Sequence, residues 1–139
     1  MIKDMPLMLQ ALKKYSLLSK SMLIHMCEHN PMTAYSYAYY VLLDPWPEGE
    51  VYIARSARAS YYYARAVLLC NPFPAGEDQI SKNGVISYLY ARHCLGKPFP
   101  KGERAIADDE MASIQYCQYV LHLRSADVNR WVLQHRSER

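Results

Sequence analysis

Ser60-Tyr61-Tyr62-Tyr63-Ala64-Arg65-Ala66-Val67-Leu68, followed by Asn71-Pro72-Phe73-Pro74-Ala75-Gly76-Glu77, decides the fold of this 139-residue chain. Taken once, it is an aromatic helix and a proline turn. Its parts recur, however. Tyr37-Ala38 with Val41-Leu42 precedes it, and Tyr90-Ala91 with Cys94-Leu95 and Tyr116-Cys117 with Val120-Leu121 follow. The turn returns as Trp46-Pro47-Glu48-Gly49-Glu50 and Phe99-Pro100-Lys101-Gly102-Glu103. Measured on the small residue after the tyrosine, Ala38 to Ala64 is 26 positions, Ala64 to Ala91 is 27 and Ala91 to Cys117 is 26. Ile53, Ile80 and Ile106 keep the same step, and the extra residue of the second unit is Asn71. A fixed period of this size is the mark of a tandem array of supersecondary units.

Each unit reads as two helices. Asn30, Ser56, Asn83 and Asp109 are one period apart, and all are favoured N-cap types whose side-chain oxygen takes a free N–H of the first turn. Pro31 follows Asn30 at the first helical position, where its missing N–H costs nothing. The spacing predicts long helices over 31–43, 57–69, 84–95 and 110–123, and short helices over 47–54, 74–81 and 100–107. The glutamate of each turn falls in the first turn of the short helix, where negative charge complements the helix dipole. Relative to Ala64, positions −4, −1, 0, +3 and +4 form the buried stripe. Two of these places are always small: Ala34, Ser60, Ser87 and Ser113, then Ala38, Ala64, Ala91 and Cys117. Position +1, held by Tyr39, Arg65, Arg92 and Gln118, is predicted to face water.

The predicted fold is therefore all-α, a short α-solenoid of tandem two-helix repeats in a single domain over 1–139. Residues 1–29 form an N-terminal helical cap, 30–123 the repeats, and 124–139 a C-terminal cap and tail. Terminal units of such arrays depart from the pattern because one face meets solvent. In the N-terminal cap, Asp4 and Pro6 start a helix carrying Leu7, Leu9, Leu12, Tyr15 and Leu18, and a second helix spans Met22 to Glu28. Ser125 or Asp127 caps a last helix with Val128, Trp131 and Val132, and the tail from Gln134 is expected to fray. No apolar run approaches the roughly 20 residues of a membrane helix, and no secretory leader pattern opens the chain. Cys27, Cys70, Cys94 and Cys117 form no C-x-x-C pair and read as free thiols of a reducing cytoplasm.

In its repeat, the chain resembles short tandem helical-repeat proteins encoded in phage and bacterial genomes. Tyr63-Ala64…Val67-Leu68, Phe73-Pro74-Ala75-Gly76-Glu77 and their counterparts over about 30–123 carry the resemblance. It implies the architecture above, and a phage or prophage accessory protein in a bacterial cytoplasm. It implies no single activity.

Chemistry-bearing clusters are few. His25-x-Cys27-x-His29 is the only one of ligand type. Zinc takes four ligands in fixed geometry, and alternate residues of a helix point to different faces, so a core cysteine between polar histidines is the better reading. Asp108-Asp109-Glu110 stands where other units have Arg55-Ser56-Ala57 and Lys82-Asn83-Gly84, which marks a helix start. No Ser/His/Asp order, P-loop or dinucleotide fingerprint occurs. The sequence thus predicts no enzyme, no catalytic residue, no metal and no cofactor.

What remains is surface. Of thirteen tyrosines, Tyr37, Tyr63, Tyr90 and Tyr116 belong to the stripe, whereas Tyr35, Tyr39, Tyr40, Tyr62, Tyr88 and Tyr119 lie off it. Two readings stay open for these: packing between units, or an aromatic recognition surface flanked by arginines, since Tyr and Arg are enriched at binding hot spots. The candidate partner-binding residues are Tyr35, Tyr39, Tyr62, Arg65, Tyr88 and Arg92. The expected function is a non-enzymatic module that binds another protein, a host or defence protein it inhibits if the phage resemblance holds. The alternative is nucleic-acid binding through a basic and aromatic side: Arg55, Arg58, Arg65, Lys82, Arg92, Lys97, Lys101 and Arg104 come mainly from the middle, and Arg124, Arg130, Arg136 and Arg139 load the C-terminus. A net charge of +3 is weak support for that alternative. Self-association is compatible with the same surfaces.

Overall fold

In a computed structural model, residues 20–138 are described; the first predicted helix of the N-terminal cap, with Leu7 to Leu18, lies outside them. Helix α1 (Lys20–His29) leads into α2 (Pro31–Ser36). Three short helices follow, α3 (Glu50–Ile53), α5 (Glu77–Ile80) and α7 (Glu103–Ala107). They alternate with the long helices α4 (Ala57–Tyr62), α6 (Gly84–Tyr90) and α8 (Glu110–Tyr119). Helix α9 (Ser125–His135) closes the chain. The described residues contain no strand. Helices α2, α4, α6 and α8 pack side by side in chain order, each against the short helix of its own unit, and α9 packs on α7 and α8. This is a short α-solenoid of two-helix repeats.

The caps are those the spacing predicts. Asn30, Ser56, Asn83 and Asp109 have extended backbone, and each side chain accepts from an N–H of the first turn: Met32 at 3.0 Å, Ala59 at 3.1 Å, Ile86 at 2.9 Å and Ala112 at 2.8 Å. Each proline turn starts a single 3₁₀ turn that runs into its short helix.

One joint holds the units together, and it repeats. The Tyr63 hydroxyl accepts from the backbone N–H of Trp46 at 3.0 Å and donates to Glu50 Oε1 at 2.8 Å. Tyr90 does the same with Phe73 N–H and Glu77, and Tyr116 with Phe99 N–H and Glu103. The recurring glutamate is therefore an acceptor for a buried phenol as well as a first-turn charge. The tyrosine rings also reach forward: Tyr37 packs on Trp46, Tyr63 on Phe73 and Tyr90 on Phe99, with centroids 5.0 to 5.4 Å apart. Tyr116 has no further turn ahead of it, and Trp131 of α9 fills that place at 5.4 Å.

Small residues complete the joint. Ser60 and Ser87 donate to the carbonyls of Ile53 and Ile80. A Cβ at Gly76 would overlap Ser60, and one at Gly102 would overlap Ser87. Glycine in the turn and a small residue at −4 are thus two halves of one close approach between consecutive units.

Several features differ from the sequence expectation. The long helices do not stay α-helical: Tyr37–Leu42, Tyr63–Val67 and Ala91–Leu95 are π-helical. Position +4 lies off the buried stripe: Leu68, Leu95 and Leu121 are half-buried and Leu42 is exposed, as is Val41 at +3. Helix α8 ends at Tyr119, short of 123, with no π segment. The tail is also anchored rather than frayed. Trp131 is buried, His135 stacks on it with centroids 4.5 Å apart, and Ser137 N–H donates to Asp108 at 2.8 Å. Neither Ser125 nor Asp127 caps α9; Arg124 holds the cap position without a side-chain bond.

Candidate functional site

The site begins where the long helices end. After each one the chain turns through a left-handed residue: Leu43 (φ 55°), Leu69 (φ 55°), Gly96 (φ 64°) and His122 (φ 57°). These stand 26, 27 and 26 positions apart, so the corner is part of the repeat. Glycine takes this conformation without cost, whereas an L side chain there costs on the order of 1–3 kcal/mol. The second unit holds a further left-handed residue, Cys70 (φ 62°), and Asn71 donates to the Leu68 carbonyl at 2.6 Å. That is how the inserted residue is absorbed.

Leu43 and Leu69 are 77% and 78% exposed, the most exposed large hydrophobics of the described residues. Both line one groove of about 590 Å³, between the C-terminal ends of the first two long helices. Tyr39, Pro45, Val67 and Pro72 line it as well, and Asp44 is its one carboxylate. Leucines held in a left-handed conformation and this exposed bury little against the core, and clustered apolar exposure of this kind marks contact surfaces.

Beside the groove, aromatic and basic groups form a band across the units. Tyr39 stacks on Tyr35 at 5.8 Å and meets Tyr40 edge-on at 4.6 Å. Tyr35 stacks in turn on Tyr62 at 5.7 Å, and the Arg58 guanidinium lies 5.6 Å from the Tyr62 ring. Arg65 donates to the Tyr61 hydroxyl at 2.9 Å, and Arg92 to the Tyr88 hydroxyl at 2.7 Å. Arg92 also lies 4.3 Å from the centre of the Tyr119 ring. Burial holds the His93 imidazole below its usual range, and the charges of Arg65 and Arg92 push the same way.

The six candidates from the sequence divide. Tyr39, Arg65 and Arg92 are exposed and Tyr62 is half-buried, all on this band. Tyr35 and Tyr88, at 1% and 2% exposure, are not surface residues. Tyr35 is the buried platform under Tyr39 and Tyr62, and Tyr88 is the buried acceptor that holds Arg92. The sequence reading missed Leu43 and Leu69. Their signal was Gly96, one period on: a glycine at a repeat position marks a left-handed corner, and leucine at the same place in other units is locally disfavoured.

The other clusters offer less. Cys27 is buried while His25 and His29 are exposed, their rings edge-on at 4.6 Å. No group of three or more His, Cys, Asp or Glu among the described residues is placed to hold a metal ion. Burial pushes the thiols of Cys27, Cys94 and Cys117 up to about 11, and all four cysteines are free. No described helix is long and apolar enough to cross a membrane. No protein-family model matches the chain, and neither a curated protein nor a solved structure does.

Proposed function

We propose that this chain is a helical-repeat binding module whose ligand is another protein, seated in the groove between Leu43 and Leu69. One observation carries the reading. Two leucines occupy corners where glycine would be more stable, and both expose their side chains to the same groove. Apolar side chains held out at a conformational cost are the kind of anchor a protein interface uses. As an extension, the partner is a bacterial host or defence protein blocked in the cytoplasm by a phage accessory protein. That step rests on the resemblance of the repeat alone.

The test is capture from nuclease-treated bacterial lysate by wild type, Leu43→Ser and Leu69→Ser. A single protein retained by wild type and lost by both variants supports the reading. Retention unchanged by both serines refutes it. A second reading, nucleic-acid binding, is favoured by Arg92 over Tyr119, because paired cations and aromatic faces serve phosphates and stacked bases. It predicts capture that disappears with nuclease and falls steeply with salt.

A further inference from the structure

Arg65 and Arg92 stand at the same repeat position, one unit apart. Each is fixed from below by a buried tyrosine hydroxyl, so its direction is set before any ligand arrives. Among the described residues, no carboxylate lies within ion-pair distance of either, although ion pairs form elsewhere, as between Lys101 and Asp78. A guanidinium has five N–H donors in a planar fork; the hydrogen bond to tyrosine engages one side of each, and Arg92 also lies over the Tyr119 ring. Half-buried His93 adjoins both and experiences their positive charge. A pair of pre-oriented, unneutralised cations is a receptor for anions.

We propose that Arg65 and Arg92 bind the carboxylates of an acidic protein segment whose apolar end occupies the groove between Leu43 and Leu69. This rests on the groove reading above and adds the chemistry of the partner. Three observations favour a peptide over a phosphodiester chain. The arginine position is filled by Tyr39 in the first unit and Gln118 in the fourth, so at this repeat position the cations number two and do not run the length of the array. Net charge is only +3. The residues after Arg65, from Ala66 to Leu69, line the apolar groove directly. Asp44, on the first-unit side of the groove, sets the direction. It repels an acidic end, so the ligand lies with its apolar residues over units one and two and its acids toward unit three.

The experiment is fluorescence anisotropy at moderate salt with three labelled probes. These are a short peptide of two leucines followed by glutamates, the same peptide with glutamine for glutamate, and an oligo-dT strand. The wild type is expected to bind the glutamate peptide about tenfold more tightly than the glutamine peptide. In Arg65→Gln/Arg92→Gln that difference disappears, and Arg65→Lys/Arg92→Lys restores part of it. Melting curves confirm that each variant is folded. Leu69→Ser weakens both peptides alike, which reports on the groove separately. Equal binding of the two peptides, with Leu69→Ser still weakening both, overturns the arginine site and leaves the groove standing. Tighter binding of oligo-dT than of either peptide, lost with the arginines, overturns it in favour of a phosphodiester ligand. No binding of the glutamate peptide overturns it as well.

Discussion

The proline turns of this protein and the left-handed corners that lead into them obey the same period and differ in almost everything else. In the turns, identity is kept: aromatic, proline, glycine and glutamate recur, and the tyrosine that locks each one sits at a fixed separation from it. At the corners only the conformation is kept. The left-handed residue is leucine, leucine, glycine and histidine in succession. A position whose side chain is buried in a joint leaves no freedom, because interiors are close-packed. A position whose backbone is fixed by the array but whose side chain meets water is free to vary, even at a local cost. The repeat thus separates the residues that build it from those that can be spent on recognition.

The comparison can be broken most severely in the joint. Ala64→Leu forces a large side chain into a fully buried small site between neighbours and is expected to destabilise by about 1–3 kcal/mol. Denaturant unfolding with an unchanged midpoint would show that the joint is not close-packed. Tyr90→Phe keeps the ring and removes the hydroxyl, leaving the Phe73 N–H and Glu77 without their shared partner. A loss of about 1–2 kcal/mol is expected, and none would mean that water replaces the hydroxyl freely.

The same hydroxyls give the joint a pH dependence. Burial, reinforced by the glutamates, raises Tyr63, Tyr90 and Tyr116 well above the usual phenol range. A phenol reaches its ordinary pKa near 10 once unfolded. The stabilisation is therefore complete below about pH 10 and lost as pH rises above it, toward the folded values. The urea midpoint should begin to fall near pH 9, where the buried thiols of Cys27, Cys94 and Cys117 start to cost stability, and fall further above about pH 10, there less steeply in Tyr90→Phe. Identical slopes for wild type and Tyr90→Phe above about pH 10 would contradict the buried tyrosine–glutamate bond.

The smallest effect sharpens the contrast. Leu69→Gly relieves the left-handed strain and is expected to raise stability by roughly 1 kcal/mol, net of the added freedom of the unfolded chain. It should also weaken partner binding. A melting temperature that falls would mean that the Leu69 side chain contributes to packing after all, and that its exposure is not spare.

Most of the scaffold was legible in the sequence because its signals are local and repeated. The four caps, the proline turns and the small-residue stripe each follow from residue type and spacing. The Tyr–Glu bond was not, although both residues stood out. A pair 13 positions apart has no helical or strand periodicity to reveal it, and each residue had a sufficient explanation alone. The π-helical ends were equally hidden, since Tyr-Ala with Val-Leu suits an α-helix as well. Of the binding surface, Arg65 and Arg92 were read from their exposure on the wheel. Leu43 and Leu69 fell outside the predicted stripe as the last residues of the predicted helices 31–43 and 57–69, and only their left-handed backbone and exposure single them out.

Trp131 stands where a further turn would bring its own aromatic residue, and α9 thereby ends the array with a part borrowed from the pattern it terminates. Every bond of a joint is spelled within one period and its nearest neighbour. A whole unit could therefore be gained or lost by duplication or deletion in the gene without any joint being rewritten. Each added unit would bring a further joint, and with it a further increment of stability, together with a new corner whose residue is still to be chosen.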